Sequence, residues 1–218
     1  MNYKIKLNSS CGDVEYINGE ISLTAERDND DARFSMAVEF PEWEQDTYVF
    51  LPACAYDGNR FKKIECQYPP MYRKADCGKD AEPIISDVPA LNLDQSGKIE
   101  VTSGDMSVPC FGAFFKAAGK AFFIFTEQAC KGKNIGFLVE RGKLTVQFPA
   151  IRSKCYRICR NNEPSEDFGV SVAKGENVTS TVLIKEFDCE SITEFFALFF
   201  WCGSLCQSVA DFFGIGRW

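Results

Sequence analysis

The chain contains no histidine in 218 residues. That excludes a Ser-His-Asp or Cys-His nucleophile pair, a His-ligated zinc and an imidazole proton shuttle. Any chemistry must come from carboxylates, Lys, Tyr or Cys. Basic residues are in deficit, 24 Lys+Arg against 31 Asp+Glu for a net charge of −7, and they are scattered. Phosphate neutralisation needs clustered cations, so no nucleic-acid partner is expected. Neither G-x-x-x-x-G-K nor G-x-G-x-x-G occurs, which removes the common phosphate cradles. Gly214-Ile-Gly216 has no strand-helix context and reads as a tail.

Eleven cysteines are present, yet no CxxC pair is among them. The count is odd, the residues are spread from Cys11 to Cys206, and Cys155/Cys159 and Cys202/Cys206 have a three-residue gap. Met1-Asn-Tyr-Lys-Ile-Lys-Leu7 alternates and does not form the apolar core of a secretory leader. The expectation is a cytoplasmic protein whose thiols are reduced and act as small core hydrophobes. The sequons at Asn8 and Asn177 then read as chance matches. A membrane span needs about 20 mainly apolar residues. The greasiest stretch, near the C-terminus, is interrupted by Glu194, Gly203, Ser204, Gln207, Ser208 and Asp211, so no membrane partner is expected.

What the chain does have is a period of two from residue 1 to about 187. Tyr3, Ile5 and Leu7 alternate with polar neighbours, as do Ile21, Leu23 and Ala25, and Phe34, Met36, Val38 and Phe40. Ile99/Val101, Ile135/Phe137/Val139, Leu144/Val146/Phe148, Val170/Val172 and Val182/Ile184 follow. Alternation marks strands buried on one face, whereas the continuous run Ala121 to Phe125 marks a strand buried on both. Ala118-Gly119 and Arg141-Gly142 read as hairpin connections, so residues 110–150 are expected to form a four-strand meander. About ten to thirteen short strands without a helical period predict a mainly β fold, a large antiparallel β-sandwich. Residues 69–97, rich in Pro, Asp and Lys, show little period and read as loop.

The character changes at residue 188. Ser191-Ile-Thr-Glu194 has capping-box form. Ile192, Phe195, Phe196, Phe199 and Phe200 then recur at helical spacing. The expected domains are a β-sandwich over 1–187 and a hydrophobic linker-type helix and tail over 188–218. So apolar a helix must dock on a surface, either a partner or the sandwich itself.

The most distinctive local string is Tyr48-Val-Phe-Leu-Pro-Ala-Cys-Ala-Tyr56-Asp57-Gly58-Asn59-Arg60-Phe61. Aromatic face, amide and guanidinium together suit a sugar: the ring packs on C–H groups, and Asn and Arg bond hydroxyls. The alternative is an Asp-Gly hairpin turn with its Arg paired to a carboxylate. The acidic clusters Asp28/Asp30/Asp31, Glu42/Glu44/Asp46 and Glu163/Glu166/Asp167 could in principle supply an acid–base pair. All lie in polar loop sequence, where solvated turns are the default, and no metal or cofactor is called for. Trp43 is either an exposed platform or a core residue.

The Tyr48–Phe61 string resembles one near the start of certain bacterial glycoside hydrolases. So does Gly97-Lys-Ile-Glu-Val101 with Gly104-Asp105-x-Ser107-x-Pro109, and Glu190-Ser-Ile-Thr-Glu-Phe-Phe196 resembles their linker helix. Those enzymes, of the six-hairpin type, join an N-terminal super-β-sandwich to a C-terminal (α/α)6 barrel. The resemblance covers about residues 1–200 and departs from Cys202 onward, where a charged amphipathic linker would be expected. It implies a non-catalytic, carbohydrate-associated domain that packs on a catalytic barrel. It also implies that loop residues Tyr56, Asp57, Asn59 and Arg60 are lent to the sugar site, with no catalytic residue of the chain's own. A second expectation, from the helix alone, is an interaction or structural protein that self-associates through Ile192–Phe213. A self-contained enzyme would need a carboxylate pair in a shaped pocket.

Overall fold

The computed structural model describes residues 1–56, 91, 97–157, 160–164 and 167–205, with 55–56, 154–157, 160–164 and 203–205 described by their backbone. The fold is mainly β, a sandwich of two antiparallel sheets with one C-terminal helix. The five-stranded sheet runs β1 (Lys4–Ser9), β5 (Phe34–Glu39), β14 (Lys143–Phe148), β13 (Gly136–Glu140) and β8 (Ile99–Thr102). The seven-stranded sheet runs β2 (Gly12–Ile17), β3 (Glu20–Ala25), β18 (Asn177–Asp188), β10 (Lys120–Thr126), β9 (Cys110–Phe115), β6 (Tyr48–Leu51) and β7 (Ala55–Tyr56). The remaining pairs are β4 (Asn29–Ala32) with β17 (Val170–Val172), β11 (Ala129–Cys130) with β12 (Lys133–Asn134), and β15 (Lys154–Arg157) with β16 (Arg160–Pro164).

The alternation in sequence becomes the inner face. Val38, Leu144, Val139 and Ile99 share one row of the five-stranded sheet, and Met36, Val146, Phe137 and Val101 share the next. All are buried against Ile21, Leu23, Phe111, Phe122, Ile124 and Val182 of the other sheet. Phe40 bridges the layers, its ring 4.9 Å from Phe122 and 5.3 Å from Phe115. Trp43 belongs to this core at 8% exposure, against Phe40 and Phe115, so it is no exposed platform. The six described cysteines whose side chains are placed, Cys11, Cys54, Cys110, Cys130, Cys189 and Cys202, are all buried.

Residues 110–150 are not one meander. The β9–β10 hairpin lies in the seven-stranded sheet and the β13–β14 hairpin in the five-stranded one, with β11–β12 between them. The succession of strands and turns does not by itself say whether two consecutive hairpins share a sheet or face each other. The distinction sits in β9 and β10, apolar on both faces, whereas β13 and β14 are apolar on one. Asn18-Gly19, both at positive φ, closes the two-residue β2–β3 hairpin.

The outer face of the seven-stranded sheet is aromatic. Tyr48, Phe114, Ala121 and Phe187 share one register row, and Phe50, Gly112, Phe123 and Lys185 the next. The helix α1 (Ile192–Leu205) lies on it. Phe195 stacks on Phe123 at 4.8 Å, and Phe199 stacks on Phe125 and meets Phe50 edge-on at 5.0 Å. The buried line is therefore Phe195, Phe199 and Cys202, while Phe200 is 68% exposed and Ile192 39%. The expected stripe was broader than the seated one because the helix is apolar nearly all round. Half of the expected capping box forms, the Glu194 N–H donating to Ser191 Oγ, while the Glu194 carboxylate accepts from the Glu190 N–H at 2.7 Å, one position before the Ser191 N–H that a box would use. Gly112 makes the docking possible. A Cβ there would come within 2.8 Å of Phe195 Cζ.

Candidate functional site

The string singled out for sugar binding begins as β6 and β7. Phe50 pairs with Tyr56 and Leu51 with Ala55, so the chain reverses at Pro52-Ala53-Cys54, with Ala53 at φ +67° and the Cys54 N–H donating to the Leu51 carbonyl at 2.9 Å. This turn comes before the Asp57-Gly58 pair. Tyr56 is thus the last described position of an edge strand. Asp57, Asn59 and Arg60 lie outside the described residues, as does most of 69–97, the stretch expected to be loop.

The surroundings of that reversal are well defined. The Cys54 thiol donates to the Asp105 carbonyl at 2.9 Å, and the Ser107 N–H donates to the Pro52 carbonyl at 3.3 Å. Asp105 closes a short 3-10 turn over Ser103–Asp105, its carboxylate accepting from the Thr102 N–H at 3.0 Å and from Thr102 Oγ1 at 2.9 Å. Arg152 Nη1 stands 3.7 Å from the same carboxylate, while its Nε and Nη2 each donate to Asp167 at 2.9 Å. The Arg152 N–H adds a third bond to Asp167. Ser153 is held to Glu100 through both its N–H and its hydroxyl. Ser103, fully buried, donates to the Gln128 carbonyl and accepts from the Ile135 N–H, tying the turn to β13.

This end of the sandwich is thus a bonded frame in which Cys54, Asp105, Arg152 and Asp167 tie the β6–β7 reversal to the 3-10 turn. Neither Arg152 nor Asp167 carried a sequence signal beyond charge, because they meet only through the fold. Burial, with the Asp105 charge behind it, pushes the Cys54 thiol up to about 11, so it is protonated at neutral pH.

Several members of the acidic clusters hold structure, while Glu166 and the side chain of Glu163 lie outside the described residues. Asp28 accepts from the Lys174 N–H at 2.7 Å. The Gly169 N–H and then the Arg33 guanidinium hold the Asp31 carboxyl below the usual carboxylate range. Glu39 is lowered by Lys6, Glu176 by Lys131 and then the Ala173 N–H, and Asp188 by Lys120. Glu44 offers its N–H to Thr47 Oγ1. A general acid needs the opposite displacement, so none of these four shifted carboxyls is suited to protonating a leaving group. Among the described residues, no three carboxylates or thiols are grouped to hold a metal ion, and no helix is long and apolar enough to cross a membrane. No protein-family model matches the sequence, and no curated protein matches it.

Proposed function

We propose that this chain is the non-catalytic β-sandwich part of a bacterial glycoside hydrolase, a carbohydrate-associated domain that packs on an (α/α)6 barrel carrying the catalytic carboxylates. The observation that carries the reading is the meeting of two strings far apart in sequence. The described part of the Tyr48–Phe61 string and the Gly104–Pro109 part of the second, both among the strings on which the family resemblance rests, touch through Cys54 to Asp105 and Ser107 to Pro52. In this reading Tyr56, Asp57, Asn59 and Arg60 bind the sugar of the neighbouring catalytic site. Fixed frames beneath variable loops are the usual way a scaffold presents binding residues. The chain alone turns over no substrate, and the setting is cytoplasmic. A panel of aryl glycosides incubated with the purified chain tests this: release of the aryl alcohol from any of them overturns the reading.

A second reading has its own observation. Phe200 and Ile192 stand exposed on the side of α1 away from the sheet. An apolar helix face of this kind suits self-association. Light scattering on the full chain and on Phe200→Asp separates the two, since a monomer in both cases removes the second reading.

A further inference from the structure

The outer face of the five-stranded sheet carries a feature that neither reading uses. Asn8 of β1, Ser35 of β5 and Gln147 of β14 are register partners in one row across three adjacent strands. With strands about 4.8 Å apart, the row spans roughly 10 Å. It forms the floor of an open depression of about 340 Å³. Pro149 and Ile151 form one wall, and Arg33 with Ser10 the other.

The polar groups of the floor are largely unspent. Among the described residues, the side chains of Asn8 and Ser35 have no hydrogen-bond partner. Gln147 uses only its oxygen, which accepts from the Ile151 N–H at 3.4 Å. That leaves the Gln147 amide nitrogen with two donors, Asn8 with a full amide and Ser35 with a hydroxyl. Gly136, opposite Gln147 in register, leaves the room this side chain needs: a Cβ there would meet Gln147 Oε1 at 2.8 Å.

The rim, by contrast, is tied to itself and to Asp31. Ser10 Oγ accepts from the Arg33 N–H at 3.0 Å, the Ser10 N–H donates to the Arg33 carbonyl at 2.9 Å, and the Arg33 guanidinium is paired with Asp31 at 2.7 Å. The charge at the rim is therefore neutralised by the protein itself. A depression with a fixed rim, an apolar wall and a floor of uncharged donors and acceptors suits a neutral polyhydroxylated ligand better than an anion, a cation or a lipid.

We propose that Asn8, Ser35 and Gln147 form a binding site for a neutral saccharide, its hydroxyls on the amide–hydroxyl–amide row and a C–H face against Pro149 and Ile151. The site is built from β1, β5 and β14 and does not involve Tyr56–Arg60.

Titration of the full chain with cellobiose, maltose and lactose, followed through backbone amide shifts, tests it. At least one sugar is expected to move the Ser35 and Gln147 amides with a millimolar dissociation constant, the range of a few net hydrogen bonds. Asn8→Ala with Gln147→Ala is expected to weaken binding about tenfold or more, equivalent to about 1.4 kcal/mol. Ser35→Ala, a smaller change, is expected to weaken it less while keeping the native spectrum, and Lys174→Ala, at an exposed position outside the depression, to leave it unchanged. The proposal is overturned if no sugar shifts these amides, if the double variant binds as the wild type does, or if sulfate displaces the sugar from the same residues. Glycosidase turnover by the chain would defeat the non-catalytic reading and leave this site standing.

Discussion

On the outer side of the seven-stranded sheet stand Tyr48, Phe50, Phe114, Phe123, Phe125 and Phe187, with a helix laid over them. On the outer side of the five-stranded sheet stand Lys4, Lys6, Asn8, Ser35, Glu39, Lys143, Glu140 and Gln147, with salt bridges Lys6–Glu39 and Lys143–Glu140. The two sheets present similar inner faces and share one core, so the difference is written wholly into the outward positions. A strand's outward residues decide whether a sheet is a surface or a second interior, and here one sheet is each. The closed face is held by aromatic packing, worth about 1.5–3 kcal/mol per buried Phe. The open face gains little from its exposed ion pairs, and its row of amides and hydroxyl is the proposed saccharide site.

The largest effect expected from disturbing this contrast is at Phe123, whose ring meets Phe125, Phe187, Phe195 and Phe199. Phe123→Ala should cost about 3–5 kcal/mol in urea unfolding. Gly112→Val should cost about 1–3 kcal/mol, because its new atoms displace Phe195. Phe195→Leu, which removes the clashing ring edge, should recover part of that loss in a double-mutant cycle.

Protonation gives a smaller, distinct signature. Burial pushes both Cys54 and Cys130 up to about 11, Asp105 and Glu127 adding to it. In the unfolded chain these thiols ionise near 8.5, so between that pH and 11 the unfolded state sheds protons the native state keeps. Stability contributed by the buried thiols is present below that window and falls as pH rises through it. Urea midpoints across it should fall less steeply for Cys54→Ala. On the acid side Asp31, held low by Gly169 and Arg33, contributes above the ordinary carboxylate range and loses that contribution as pH drops through its native value. Asp31→Asn should flatten that limb.

The smallest effect is expected on the open face. Thr145, 7% exposed, has a buried hydroxyl without a hydrogen-bond partner. Thr145→Val keeps the shape and removes the unmet group, so stability should stay level or rise by about 1 kcal/mol.

Much of this contrast was legible in the sequence. Phe34-Ser-Met-Ala-Val-Glu39 alternates and Cys110–Phe115 does not, and that difference is the difference between one covered face and two. The helix Ile192–Leu205 was legible from its cap and spacing. What covered what was not, because the match between Phe195 and Phe123 depends on Gly112, a gap visible only once β9 and β10 are in register. Frame residues Arg152 and Asp167 were illegible for a related reason: a charge pair fifteen positions apart has no local period. The row Asn8–Ser35–Gln147 needed three strands from distant parts of the chain to be set side by side.

The most direct test of the closed face is made within the helix itself, by comparing urea unfolding of Phe195→Ala and Phe200→Ala. Phe195 is fully buried against the sheet and Phe200 points away from it. The first substitution should cost about 3–5 kcal/mol and the second no more than about 0.5 kcal/mol. Equal losses at the two positions, or no loss at either, would contradict the docking of α1 and with it the contrast between the two faces.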